Sequence, residues 1–207
     1  MPDSGQLIVI SAPSGTGKST IINNVKGRMD KIGYAVSHTS RTPRPGEVNA
    51  VDYFFVSELE FERMIDEGAF AEWAKVYNAY YGTSFNTLRQ NIAADLDVIL
   101  DIDFQGAANI RKHFSSSVLI FIIPPDLETL KNRLIQRAKD SEAVIESRMA
   151  LAEDNLKQCS WYDYIVINDD LEKAVAEVCS IITAERRRTA RMLSDENLKS
   201  DLKLSDI

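Results

Sequence analysis

Cysteine is nearly absent: 207 residues contain only Cys159 and Cys179, too few for a disulfide scaffold and without the paired spacing of a zinc site. Both read as reduced, structural thiols. Histidine is as scarce, and neither His38 nor His113 has a partner pattern for nucleophilic or metal chemistry. No apolar stretch approaches the length of a membrane span. The polar start Met1-Pro2-Asp3-Ser4-Gly5 lacks the layout of a signal peptide, so the expected location is cytoplasmic, with no membrane partner. Positive charge is in deficit, and a formal net charge of −7 argues against a protein that coats nucleic acid, whose binding rests on a basic surface. An anionic small ligand needs only a local basic pocket. There is no internal repeat or low-complexity linker, the polar stretch from Ser194 onward is expected to fray, and nothing fixes an oligomeric state.

What is present suffices for one substantial core with a small inserted unit, since 44% of the residues are hydrophobic. The apolar runs Leu7-Ile8-Val9-Ile10, Asp97 to Ile102, Ser117 to Ile123 and Asp163 to Asn168 are short, continuous and rich in branched residues, as strands covered on both faces should be. Helical spacing follows in Ile21, Ile22, Val25 and Met29, running out near Gly33. It recurs over Phe104 to His113, Leu127 to Lys139, Ala143 to Lys157 and Leu171 to Arg188. The run Glu185-Arg186-Arg187-Arg188 reads as the exposed end of the last helix. Strands alternating with helices predict an α/β fold with a mostly parallel sheet flanked by helices. Residues 37 to 86 break that rhythm with turn-forming and aromatic residues, and read as an inserted α+β lobe: strands at Tyr53 to Val56 and Phe70 to Ala74 around a helix at Glu58 to Glu67.

The most informative segment is Ala12-Pro13-Ser14-Gly15-Thr16-Gly17-Lys18-Ser19-Thr20, directly after the first apolar run. A loop that wraps phosphate oxygens must turn successive backbone N–H groups inward, and glycine permits the positive φ this needs. Lys18 supplies a point charge for the outer phosphates, and the Ser19 hydroxyl suits magnesium. The strict P-loop pattern has glycine where this chain has Ala12, a departure tolerable while Ala12 keeps an ordinary φ. The segment therefore reads as a nucleoside triphosphate site at a helix N-terminus.

Ser37, the pair Arg41 and Arg44 in Ser40-Arg41-Thr42-Pro43-Arg44-Pro45-Gly46, Glu72, Tyr80-Tyr81-Gly82-Thr83 and Asp101-Ile102-Asp103-Phe104-Gln105-Gly106 follow in order. With the phosphate loop they make the chain resemble the guanylate kinase family from about Leu7 to Glu185. The resemblance implies a P-loop NTPase-type core at 1–36, 87–127 and 159–207, a GMP-binding lobe at 37–86 and a helical lid at 128–158. It implies reversible transfer of the γ-phosphoryl group of MgATP to GMP, and to dGMP, giving ADP and GDP.

The same resemblance implies roles residue by residue. Ala12 to Thr20 and Asn168 would hold ATP, Asn168 near the adenine, although a loop-capping amide explains Asn168 equally well. Ser19 and, through water, Asp101 would hold Mg2+. Glu72 and Asp103 would accept from guanine N1–H and its amine, while Ser37 and Thr83 would serve O6. Arg41, Arg44, Tyr53 and Tyr81 would bind the GMP phosphate. By themselves the two tyrosines read as packed aromatics, and a strand-terminal aspartate reads equally as a helix cap. Lys18, Arg41, Arg133, Arg137 and Arg148 would carry catalysis, the last three from the lid, where Ala138 stands in place of a glycine common in relatives. A catalytically silent, phosphopeptide-binding module of the same family is the alternative, and the phosphate loop argues against it.

Overall fold

The computed structural model describes residues 5–76, 78–137 and 142–193. The chain runs β1 (Leu7–Ser11), α1 (Lys18–Arg28), β2 (Ile32–Tyr34), β3 (His38–Thr39), β4 (Phe54–Phe55), α2 (Glu58–Asp66), β5 (Phe70–Val76) and β6 (Ala79–Ser84). It continues through α3 (Phe85–Ala93), β7 (Asp97–Asp101), α4 (Phe104–His113), β8 (Val118–Ile123), α5 (Leu127–Arg137) and α6 (Glu142–Leu156). A 3-10 turn (Lys157–Trp161), β9 (Tyr164–Ile167), α7 (Leu171–Glu185) and α8 (Thr189–Met192) complete it.

Five parallel strands form the main sheet in the order β2-β7-β1-β8-β9. Alternate residues of β1 serve opposite faces, which is why its apolar run is unbroken. Leu7 and Val9 pack with Leu88 and Ile92 of α3 and Ala107 and Ile110 of α4. Ile8 and Ile10 pack with Ile21, Ile22 and Val25 of α1 and Val175, Val178 and Ile182 of α7. Burying each such side chain stabilises by about 1.5–3 kcal/mol, and the two faces together fix β1 at the centre.

Residues between β2 and β7 build a second sheet in the order β4-β3-β6-β5. Its helix α2 starts at Ser57, whose Oγ accepts from the Glu60 N–H at 3.1 Å. Phe61 is fully buried there, stacked on Phe70 at 4.4 Å and Tyr80 at 5.2 Å. Ser84 then caps α3, which returns the chain to the main sheet.

Three expectations change. Gly33 does not end α1: the helix stops at Arg28, the positive φ falls at Lys31, and Gly33 lies inside β2. A Cβ on Gly33 would meet Asn91 Oδ1 at 2.5 Å and the Leu96 side chain at 3.2 Å, so this glycine admits close packing rather than a turn. Helix α3 and strands β2, β3 and β6 were not expected, because each is short or carries few apolar residues. The run from Glu185 is an exposed helix end only in part: Arg187 and Arg188 are exposed, but Arg186 Nε donates to the buried Asp97 at 2.6 Å and the buried Glu185 accepts from the Tyr164 hydroxyl, fastening the end of α7 to the starts of β7 and β9.

Candidate functional site

The phosphate loop joins the C-terminal end of the central strand β1 to α1, where parallel sheets open a crevice for ligands. Gly15 has φ 88° and Gly17, the N-cap of α1, φ 98°. Ala12 is not among the residues of positive φ, so its methyl costs the loop no backbone strain. The loop is braced from outside. Thr16 is fully buried, and its carbonyl accepts from Asn168 Nδ2 at 2.6 Å and Arg133 Nη1 at 3.3 Å, while Arg133 Nη2 donates to the Asn168 carbonyl at 3.0 Å. Leu130 and Leu134 of α5 lie close over Gly15, where any side chain would strike Leu134 at 2.8 Å. In this state Arg133 and Asn168 therefore shape the loop, the amide in the capping role. Pro13 is buried, whereas Ser14, Ser19 and Thr20 are exposed.

Lys18 Nζ sits 2.5 Å from Asp101 Oδ1, both side chains about one-fifth exposed, and reaches the Ile102 carbonyl at 3.4 Å. The Ser11 hydroxyl donates to the same carbonyl at 2.8 Å, which holds the ends of β1 and β7 together beneath the lysine. Ser19, next in sequence to that lysine, and Asp101, paired with it, would offer magnesium one hydroxyl and one carboxylate. This set fits, because this ion binds through one or two protein oxygens and otherwise keeps water and substrate phosphates. No group of three or more metal-ligating acids, histidines or cysteines occurs among the described residues.

The second cluster lies where the small sheet meets the first turn of α4. Glu72 on β5 pairs in register with Thr83 on β6, and Thr83 Oγ1 lies 3.1 Å from Ser37 Oγ. Thr83 is fully buried and Glu72 is 5% exposed, with Oε1 lacking any hydrogen-bond partner. Burial pushes its carboxyl up to about 7, the Asp103 charge adding to the rise and the Thr83 hydroxyl and backbone opposing it. Asp103 caps α4, its Oδ1 accepting from the Gly106 N–H at 2.9 Å. Gly106 in turn lies so close to Glu72 that a Cβ there would sit 2.8 Å from Oε2. The helix cap among the aspartates is thus Asp103, while Asp101 pairs with Lys18. The first turn of α4 brings Asp103 and Glu72 together, with Ser37 and Thr83 beside Glu72.

A third group lies on the same lobe. Arg41 donates from Nε to the Tyr81 hydroxyl at 3.3 Å, and its guanidinium lies 5.5 Å from the centre of the Tyr53 ring. Tyr53 and Tyr81 meet edge to face at 5.8 Å. Burial raises the Tyr53 phenol to about 12, with the charge of Asp101 the next cause. Arg44 is exposed. Arg148 is half-buried on α6; the side chain of Arg137 and the whole of Ala138 lie outside the described residues.

Two residues of the site escaped sequence reasoning. Gly106 gives room to Glu72, and Glu47 binds Arg41 through both carboxylate oxygens at 2.9 Å. The signal for Glu47 was the Pro45-Gly46 pair. Gly46 has φ 90° and the Glu47 N–H donates to the Arg44 carbonyl at 3.1 Å, a type II turn that folds the next side chain back on the loop.

The model of the family described as guanylate kinase matches residues 4–185. The chain is 49% identical to the guanylate kinase of Geobacter sulfurreducens over 193 residues, covering 93% of this chain and 95% of that one. It is 44% identical to the guanylate kinase of Legionella pneumophila over 194 residues, 94% and 93% of the two chains. The crystal structure of guanylate kinase from Anaplasma phagocytophilum superposes with a TM-score of 0.78 at 30% identity, covering 96% of this chain and 95% of that one. Matched by that family model over residues 4–185 and by relatives along nearly its whole length, the chain belongs to the guanylate kinase family.

Proposed function

We propose that this member of the family transfers the γ-phosphoryl group of ATP to GMP, giving ADP and GDP reversibly, with dGMP as a second acceptor. The observation that carries the substrate reading is Glu72: a 5% exposed carboxylate whose Oε1 has no partner, next to Asp103 and Thr83. An orphaned buried acceptor costs free energy unless a ligand brings it donors. Guanine offers two, N1–H and the exocyclic amine, to Glu72 and Asp103, and its O6 would face Ser37 and Thr83. Adenine presents a lone pair where guanine presents N1–H, and a site built on such donors discriminates by roughly 10⁴-fold or more.

In this reading residues 37–86 act as the GMP lobe, 128–158 as the lid and the remainder as the ATP-binding core. The backbone of Ala12 to Thr20 cradles ATP, with Asn168 bracing the loop near the adenine. Arg41, Arg44, Tyr53 and Tyr81 take the GMP phosphate. When bound, magnesium neutralises the outer phosphates of ATP, held by Ser19 and, through water, by Asp101. A GMP phosphate oxygen, already anionic, forms the new P–O bond to the γ-phosphorus as the bond to the β-phosphate oxygen breaks and ADP departs with that electron pair. No general base is needed. Lys18, Arg41 and the lid residues Arg133, Arg137 and Arg148 stabilise the spreading charge. We place this reaction in cytoplasmic purine nucleotide metabolism, a location supported by two free thiols and by no described helix being long and apolar enough to cross a membrane. A coupled assay of ADP release over a panel of nucleoside monophosphates tests the reading: GMP should turn over with kcat/KM about 10⁴-fold above AMP. Comparable values would refute it.

A further inference from the structure

The Arg41 guanidinium has five N–H bonds, and four are already committed. Nε donates to Tyr81 Oη at 3.3 Å, Nη1 to the Thr42 carbonyl at 2.7 Å and to Glu47 Oε2 at 2.9 Å, and Nη2 to Glu47 Oε1 at 2.9 Å. The rings of Tyr53 and Phe55 lie 5.5 and 5.7 Å from its carbon. Glu47 is held from its other side as well, since the Arg44 N–H donates to Oε2 at 2.7 Å. The pair is not a loose surface contact: the two side chains are 17% and 20% exposed, and Arg41 holds the Glu47 carboxyl down at about 2.

We propose that Glu47 is a positioning residue for the nucleotide phosphate: through the type II turn at Pro45-Gly46 it grips Arg41 and presents that arginine to the phosphate as a fixed donor. The inference rests on the reading that Arg41 contacts the phosphate. Two consequences separate it from a merely structural ion pair. Arg41 reaches the ligand already ordered, so phosphate binding does not have to immobilise a long, rotamer-rich side chain. Its charge is also balanced by Glu47, which leaves the exposed Arg44 as the net positive charge on the loop. The two arginines therefore divide the work: Arg44 attracts the phosphate and Arg41 fixes where it stops.

The test is a double-mutant cycle on the full chain with E47Q, R41M and the pair, measuring KM for GMP, kcat, KM for ATP and, by calorimetry, the Kd for guanosine. Glutamine keeps the size of Glu47 but turns an N–H2 toward the guanidinium, breaking the two-oxygen grip. E47Q should raise KM for GMP roughly tenfold, the scale of one lost charge-assisted hydrogen bond, with smaller changes in kcat and KM for ATP and none in guanosine affinity. In the R41M background the same substitution should change nothing, and E47D, which keeps the charge, should recover part of the loss. An E47Q effect that persists without Arg41 overturns the proposal, as does an unchanged or lowered KM for GMP. A lowered value would mean that Glu47 competes with the phosphate. If R41M alone leaves GMP binding intact, the underlying phosphate-site reading fails instead.

Discussion

Replacing Glu72 by glutamine should stabilise the empty protein and at the same time disable nucleotide recognition. Burial raises this carboxyl from 4.5 to about 7, with Oε1 unpaired in a 5% exposed side chain. The difference, 7 − 4.5, is worth about 3 kcal/mol at ~1.36 kcal/mol per pH unit. An acid whose folded pKa is raised favours the folded state at low pH, so that relative stability is fully present below about pH 4.5 and is lost as the pH rises through about 7. E72Q carries no ionisable group there and escapes the loss. Urea unfolding of both proteins should therefore show E72Q gaining on the original chain by up to about 3 kcal/mol between pH 4.5 and pH 8.

Recognition should move the other way. E72Q directs an N–H2 at guanine's donors, and KM for GMP should rise about 10²-fold or more. In the unsubstituted protein the ionised fraction of Glu72 changes from roughly 1/11 at pH 6 to 10/11 at pH 8, so guanosine affinity should rise about tenfold over that range. Guanosine is the better probe because a phosphomonoester titrates near pH 6 itself. A stability difference that does not vary with pH would refute the assigned ionisation. A flat guanosine profile would remove Glu72 from base recognition.

Two further substitutions separate the glycine loop from the Glu72 cluster. K18M removes the charge 2.5 Å from Asp101, and kcat should fall about 10²-fold or more. Its GMP affinity by calorimetry should stay within about twofold, because Lys18 stands on α1, outside the proposed GMP lobe; full turnover would refute the role of the loop. G106A places a Cβ 2.8 Å from Glu72 Oε2 and 3.2 Å from Ile102 Cβ. Alanine gains helix propensity of about 1 kcal/mol, so stability should change little while KM for GMP rises several-fold; unchanged kinetics would show that Glu72 has room to move.

The strands β1, β7, β8 and β9 and the helices α1, α4 and α7 were legible because each writes its burial into local spacing: continuous branched runs where both faces are covered, every third or fourth residue where one stripe is. The phosphate loop was legible for a different reason, since a backbone that must reach positive φ at Gly15 and Gly17 can be spelled in few ways. Sequence alone therefore determined the layered α/β core, the glycine loop proposed to bind phosphates, and the set of acids and arginines from which the family resemblance followed. Tertiary structure decided what those side chains touch. Asp101 and Asp103 are two residues apart and look alike on paper, yet one pairs with Lys18 and the other caps α4, because the strand ends between them. Glu72 owes its raised pKa to burial, with the charge of Asp103, distant in sequence, adding to it, and Arg41 is gripped by Glu47 folded back across a Pro-Gly turn. Spacing along a chain encodes which face is buried, whereas ionisation and orientation depend on neighbours that only the folded chain brings together.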